Sequence, residues 1–459
     1  MDKRRDFIKK SLLGTAGIAI GGVGFSASSY KSIIGSNDRI NFALIGLRSR
    51  GADHLNSICA LKDTHNIQIK TICDVDEQFW APRAKTINDK TGVTPGTEWD
   101  MRKVFEDKDI HAISFATPNF WHALGTIWAC QSGKHVYVEK PCSHNISEGR
   151  RMIEAARKYK VRVQVGFQNR SGKNLNEAIK LIHDGGIGEI YMARGLCLKP
   201  RDSFGITPDS DPPSSLHYDM WLGPAKWRKY NEKKGHYNWH WFWETGNGDT
   251  GNQGPHEFDI ARWGMNKNEH PVSVYSAGGI FGIDPKECAQ ETPNTLSCTY
   301  KYSDGKMLEF ETRGRYTNAE SSVDISIGNE FYGTEGYLEL KNEEARPWKA
   351  FRKREKVAFA GSKDDAKNQE QDTLSGSGGG DHFANFLDAI RSGKDETLNC
   401  NITEGHLSCA LPHMANISYR LGRGLKFKGD TEKFVNDPEA DAMLTRKEYR
   451  KPYIVPDKV

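Results

Sequence analysis

Short apolar runs alternate with amphipathic stretches along the first third of the chain. Residues 39–46, RINFALIG, form an apolar run that closes on glycine, the pattern of a buried parallel strand entering a turn. Residues 67–74, 109–116, 135–139 and 161–167 repeat the pattern, and the first of these ends in an acid, Asp74. Helical spacing fills the intervals at 54–61, 77–88, 122–132 and 147–159. Strands alternating with helices over this span predict a doubly wound parallel sheet.

The pattern then changes. Residues 218–243 are crowded with aromatics, and 255–265 read as a helix with Pro255 in its first turn. From 272 to 340 the apolar positions recur every second residue, with turns such as Ser303-Asp304-Gly305 between runs. This predicts a largely antiparallel sheet with one solvent face, in a second domain of α+β type. Residues 361–380 read as a polar loop ending in SGSGGG, followed by helices at 382–392 and 403–421 and a polar tail expected to lie over the surface.

Of the 459 residues 37% are hydrophobic, and the aromatics include 11 Trp, enough for a large packed core and not for a disordered chain. The net charge is +4, of which Lys3, Arg4, Arg5, Lys9 and Lys10 against Asp2 and Asp6 supply three. The remainder has no footprint for nucleic acid. Nine cysteines without a CxxC pair indicate neither a zinc ribbon nor a disulfide framework. Lys3-Arg4-Arg5-Asp6-Phe7-Ile8-Lys9 resembles the twin-arginine export motif, and the apolar stretch after it is too short and glycine-rich for a stable membrane span. Residues 1–30 are therefore expected to be a signal read by the twin-arginine export machinery, with a periplasmic destination. Export in the folded state suits a protein that loads a cofactor beforehand.

Gly46-Leu47-Arg48-Ser49-Arg50-Gly51 joins the first strand to a helix. It keeps the outer glycines of G-x-G-x-x-G and places Arg48 at the middle one, where a cation can meet phosphate. Asp74 ends the next strand, 23 residues past Gly51, where an acid meets a ribose hydroxyl. No arginine follows it closely, which favours NAD, with NADP as the alternative. Thr117-Pro118-Asn119 and Glu139-Lys140-Pro141 end the third and fourth apolar strands, so three strand ends converge on one crevice.

The ordered pieces ALIGLRSRG, TICDVD, ATPNFWHA, VYVEKP, GFQNRS and GNQGPHEFDIARW resemble the Gfo/Idh/MocA family of nicotinamide-dependent oxidoreductases over about residues 38–425. The resemblance implies an NAD(P)-binding Rossmann domain over 38–165, a substrate and oligomerisation domain over 166–380, and C-terminal helices and tail over 381–459. It implies cofactor contacts from Gly46, Leu47, Arg48, Gly51, Asp74, Thr117, Asn119, His122, Glu139 and Lys140. In the second domain the family pairs its lysine with Asp-x-x-x-His; here His256 matches the histidine and Asn252 replaces the aspartate. Asparagine orients a hydroxyl but takes no proton. Asp259, three residues past His256 on the same helical face, is expected to hold the imidazole while it acts as base.

Aromatic faces beside polar groups suit sugars, so Trp239, Trp241 and Trp243 are expected at the substrate, with Gln168 and Arg170 reaching its hydroxyls. The spacing of His236, His240 and His256 fits no zinc pattern, and no metal is expected. The leading expectation is hydride transfer between a tightly bound nicotinamide and a sugar or cyclitol hydroxyl, in a homo-oligomer paired through its open sheet. The alternative is a redox-neutral NAD-dependent glycosidase, although the threonine–histidine–glycine element of family 109 glycosidases is not evident. A sugar sensor using the same fold is a third reading, opposed by the pairing of Lys140 with His256.

Overall fold

The computed structural model describes residues 38–342, 346–362 and 379–459. The export label at 1–30 and nearly all of the polar loop at 361–380 lie outside the described residues. Six parallel strands, β1 (Ile40–Ile45), β2 (Ile67–Cys73), β3 (Gly96–Glu98), β4 (Ala112–Phe115), β5 (His135–Val138) and β6 (Val163–Val165), lie in the order β3-β2-β1-β4-β5-β6. The order reverses between β1 and β4, and a crevice opens there outside the carboxyl ends of the strands.

Both faces of this sheet are covered, which is why its strands are continuous apolar runs rather than alternating ones. Ala43 and Ile45 pack into one cluster with Ile113, Val136 and Val138. Phe42 and Leu44 face the other way, toward Phe383, Phe386 and Leu387 of the helix Gly379–Ser392. The three-residue edge strand β3 was invisible to the apolar pattern because GTE is solvent-facing and contains no hydrophobic side chain.

The second sheet has ten strands, ordered β14-β13-β12-β11-β7-β10-β9-β8-β15-β16. Its flanks are β8 (Ser273–Gly279), β9 (Thr295–Lys301), β10 (Met307–Arg313), β11 (Ile327–Gly333), β12 (Gly336–Lys341), β13 (Trp348–Arg352), β14 (Ala360–Gly361), β15 (Leu425–Lys428) and β16 (Lys433–Phe434). At its centre lies β7 (Ile190–Cys197), antiparallel to β11 and parallel to β10. The sheet is thus mostly antiparallel, as the period-two runs predict. The helices Gly254–Gly264 and Ile402–Leu421 cover one face. Gly195 lets the first of them come close: a Cβ there would stand 2.9 Å from that of Glu257. No helix among the described residues is long and apolar enough to cross a membrane.

The tail does not merely lie over the surface. Tyr453 and Val455 are buried in the cluster that contains Trp121 and Val136, and the Tyr453 hydroxyl donates to Asp219 Oδ2 at 2.8 Å. Its apolar residues are few and irregularly spaced, so no periodic signal marked them. The carboxylate of Glu432, beside β16, gathers Arg150, His270 and His406 and fastens three separate segments together.

Candidate active site

A cavity of about 1090 Å³ occupies the crevice at the ends of β1, β2, β4 and β5 and continues to the helix that carries His256. Its floor is the glycine loop. Gly46 has φ +88°, and a Cβ there would sit 2.7 Å from the Ala116 carbonyl carbon. A Cβ on Gly51 would sit 2.0 Å from the Gly46 carbonyl oxygen. Both glycines are therefore required by close backbone approach. Arg48 lines the cavity, whereas Leu47 and Gly51 shape the loop without lining it. The loop is tied to β2 by Asp74, whose two oxygens accept the N–H groups of Leu47 at 2.7 Å and Asp76 at 2.9 Å.

Burial pushes the Asp74 carboxyl up to about 6, against the lowering pull of its two backbone hydrogen bonds and the Arg48 charge. Below that value the group is protonated and loses acceptor capacity toward both the loop and a ribose. Dinucleotide affinity is accordingly expected to weaken as pH falls through about 6, and Asp74→Asn to remove most of that dependence. Titrating NADH fluorescence between about pH 5 and 8 checks it, and a flat profile in the parent protein would refute it.

Across the crevice, Glu139 is buried, its Oε1 gathers three side chains, and its Oε2 accepts the Lys140 backbone N–H at 3.2 Å. It accepts from Arg50 Nε at 2.9 Å and Gln168 Nε2 at 2.7 Å, and lies 3.0 Å from His54 Nε2. The Arg50 charge and the His54 hydrogen bond overcome burial and hold this carboxyl well below its ordinary range. The next residue, Lys140, precedes a cis peptide to Pro141 and donates from Nζ to the Asn252 carbonyl at 2.8 Å. Burial, seconded by the charges of Arg50 and Lys199, lowers the Lys140 ammonium, while Glu139 opposes the shift. His122 ties the two loops: Nδ1 lies 2.7 Å from Pro141 O and Nε2 2.9 Å from Thr117 O.

His256 lines the same cavity, and its Nδ1 is buried without a hydrogen-bond partner. Burial and then the Lys140 charge press its pKa well below the ordinary value, so the imidazole is neutral at pH 7 and able to accept a proton. Thr117 Oγ1, in the same wall, also lacks a partner. A backbone cradle that any Cβ would fill, together with two orphaned polar atoms, fits a dinucleotide.

Several expected contacts are placed elsewhere. Asp259 does not hold His256. It takes Arg170 in two 2.8 Å bonds and the Ser408 hydroxyl at 2.7 Å, because the helix turns it toward the GFQNRS element and away from the cavity. Arg170 is consumed by that pair and does not line the cavity. Asn119 is buried with Nδ2 on Asn247 Oδ1 at 2.7 Å, also outside the lining. Residues 238–241 form a 3₁₀ turn, in which successive side chains differ by about 120°. Trp239 consequently reaches the cavity, while Trp241 lies under Arg201 and Trp243 packs near Tyr419 and Arg420. Gln168 lines the cavity and braces Glu139. Asn252 lines it too, its amide at 3.4 Å from Asp249, whose carboxylate is held bidentately by Arg201.

Arg50, His54, Gln253 and Lys199 were not anticipated. Arg50 and His54 are four apart on the helix Arg50–Ala60 and reach one carboxylate, a spacing readable in the sequence. Lys199 follows β7 as Lys-Pro, the same punctuation that follows β5 at Lys140-Pro141.

Residues 40–167 match the model of the Gfo/Idh/MocA oxidoreductase family, described as an NAD-binding Rossmann fold. Residues 206–332 and 355–455 match that family's C-terminal α/β domain. A family 109 glycosyl hydrolase protein of Shewanella baltica is 26% identical over 205 residues, 41% of this chain and 44% of the relative. The chain thus spans less than half the length of such curated relatives. Levoglucosan dehydrogenase of Pseudarthrobacter phenanthrenivorans is 36% identical over 100 residues, 22% of this chain and 26% of the relative. A solved levoglucosan dehydrogenase in complex with NADH and levoglucosan superposes with a TM-score of 0.63 at 19% identity, covering 84% of this chain and 99% of that one.

Proposed function

Because the chain belongs to the Gfo/Idh/MocA family of oxidoreductases, we propose that it is an NAD-dependent oxidoreductase acting on a CH–OH group of a sugar or cyclitol. The observation that carries this reading is the presence of the Lys140 ammonium and the neutral His256 imidazole in the wall of one cavity whose floor is the glycine loop. When bound, the nicotinamide ring supplies the acceptor or donor of hydride. Gly46, Arg48 and Asp74 would hold the dinucleotide, the last through the hydroxyls of a ribose. The His256 imidazole takes the proton of the reacting hydroxyl, and Lys140 stabilises the negative charge that develops on its oxygen. Asn252 positions Lys140 through its backbone carbonyl, a task its side chain does not limit. The replacement of the family's aspartate by Asn252 therefore leaves His256 as the base.

A second reading, a redox-neutral glycosidase, is favoured by the family 109 relatives. In it a hydride would leave the sugar, His256 would take a proton from the carbon beside the oxidised one, the glycosidic bond would eliminate, water would add to the double bond, and the hydride would return. Denaturing the purified protein is expected to release NAD or NADH. Net NADH accumulation from added NAD and a sugar then supports the dehydrogenase. Sugar released from a glycoside without net absorbance change supports the glycosidase, and a protein that neither carries nor binds the nucleotide ends both readings.

The same proposal includes export to the periplasm and self-association through the open face of the ten-stranded sheet, which presents Tyr191 and Tyr275. Cell fractionation of an Arg4→Lys/Arg5→Lys variant and light scattering of the parent protein test them; unchanged export or a monomer would count against each.

A further inference from the structure

The cavity wall changes character along its length. The carboxylates that line it are Asp74, Asp76 and Glu139, and all are occupied. Asp74 serves two backbone N–H groups, Asp76 takes Ser215 Oγ at 2.8 Å, and Glu139 takes Arg50 and Gln168. Two of the three belong to the glycine-loop end, beside Arg48. Around His256 the described wall holds two ammonium groups, the Arg346 guanidinium, which donates to Asn169 Oδ1 at 3.1 Å, and the amides of Asn252, Gln253 and Asn342, with no described carboxylate but Glu139.

The two ammonium groups are anchored on successive residues. Lys140 Nζ donates to the Asn252 carbonyl at 2.8 Å, and Lys199 Nζ donates to Gln253 Oε1 at 2.9 Å. An ammonium is a donor with three N–H bonds and no acceptor. Each of these gives one bond to a neutral oxygen. Glu257 lies behind this wall, outside the lining, occupied by Asn342 and Gln253, and burial raises it to about 7. A hydroxyl of a neutral sugar offers an ammonium lone pairs but no countercharge, whereas a carboxylate or phosphate offers both. Among the described residues Lys199 is a cation of this wall that forms no ion pair.

We propose that Lys199 binds an anionic group of the sugar, so that the substrate is a sugar acid or a sugar phosphate and not a neutral aldose or cyclitol. The inference rests on the oxidoreductase reading of this cavity and narrows it. Lys199 is a binding and specificity residue: it takes no part in the proton transfer, and the reacting hydroxyl remains with Lys140 and His256.

Calorimetric titration of the full chain saturated with NADH separates the possibilities. D-glucuronate or D-glucose 6-phosphate is expected to bind at least about tenfold more tightly than D-glucose or myo-inositol. The stronger of the two anions tells carboxylate from phosphate. Lys199→Met should erase the preference of anion over neutral sugar, and Lys199→Arg should keep most of it. Neutral sugars binding as tightly as the anions, or a preference that survives Lys199→Met, would overturn the inference. Absence of NADH binding in the preceding titration would instead remove the underlying reading, and this inference with it.

Discussion

Lys140→Met is expected to lower kcat for sugar oxidation by about a hundred- to ten-thousandfold while NADH still binds. Methionine keeps the aliphatic stem and so fills the same space, but it carries neither charge nor donor. Three consequences follow from what surrounds the ammonium. The alkoxide forming at the reacting carbon loses its nearby cation in a site where burial makes charge interactions strong. The Asn252 carbonyl loses its 2.8 Å donor, so the backbone beside His256 is no longer tied to the end of β5. The depression of His256 is also relieved, because the Lys140 charge is its largest cause after burial. The pH–rate profile should accordingly move toward higher pH on its acidic limb, as the imidazole retains its proton to a higher pH. Activity within tenfold of the parent, with an unshifted profile, would show that the proton is handled elsewhere. The rise and fall of the parent profile have separate origins in this scheme. The acidic limb reports neutral His256, and the alkaline limb reports loss of the Lys140 ammonium, which burial has lowered from its ordinary value.

The sequence made the parallel sheet legible because each of its longer strands is an apolar run that ends in chemistry. Gly46, Asp74, Thr117 and Lys140 all fall at strand ends, and a parallel sheet brings such ends together whatever the loops between them do. His256 was legible through its motif and its helix. Orientation around the helix was not. Asp259 shares a nominal face with His256, but a three-residue offset leaves enough rotation for a buried arginine to claim the carboxylate, and Arg170 is 86 residues upstream of His256. The tryptophans failed for a related reason: composition marks an aromatic cluster, but only the 3₁₀ geometry of residues 238–241 decides which ring meets the cavity. Strand β7 escaped notice since its pattern, IYMARGLC, alternates poorly, although it lies at the middle of the large sheet and delivers Lys199.

Arg170 supplies the second large effect, and it is one of stability. Its side chain is 8% exposed and that of Asp259 1%, with two parallel 2.8 Å bonds between them. The Ser408 hydroxyl donates to the same carboxylate and in turn accepts from Arg262, while Glu404 is shared by both arginines. Arg170→Met leaves a buried carboxylate whose main counter-ion is gone, and removing one member of such a pair costs about 3–5 kcal/mol. The denaturant midpoint should fall correspondingly. Joining Arg170→Met with Asp259→Leu should recover much of the loss, because two apolar side chains no longer demand solvation. The same pair of variants decides whether Arg170 belongs to the substrate. Since the guanidinium is turned to the helix Gly254–Gly264, the double variant is expected to keep a KM for sugar near that of the parent wherever it is folded. A large rise in KM with unchanged stability in Arg170→Met alone would reverse that assignment and place the guanidinium at a sugar hydroxyl.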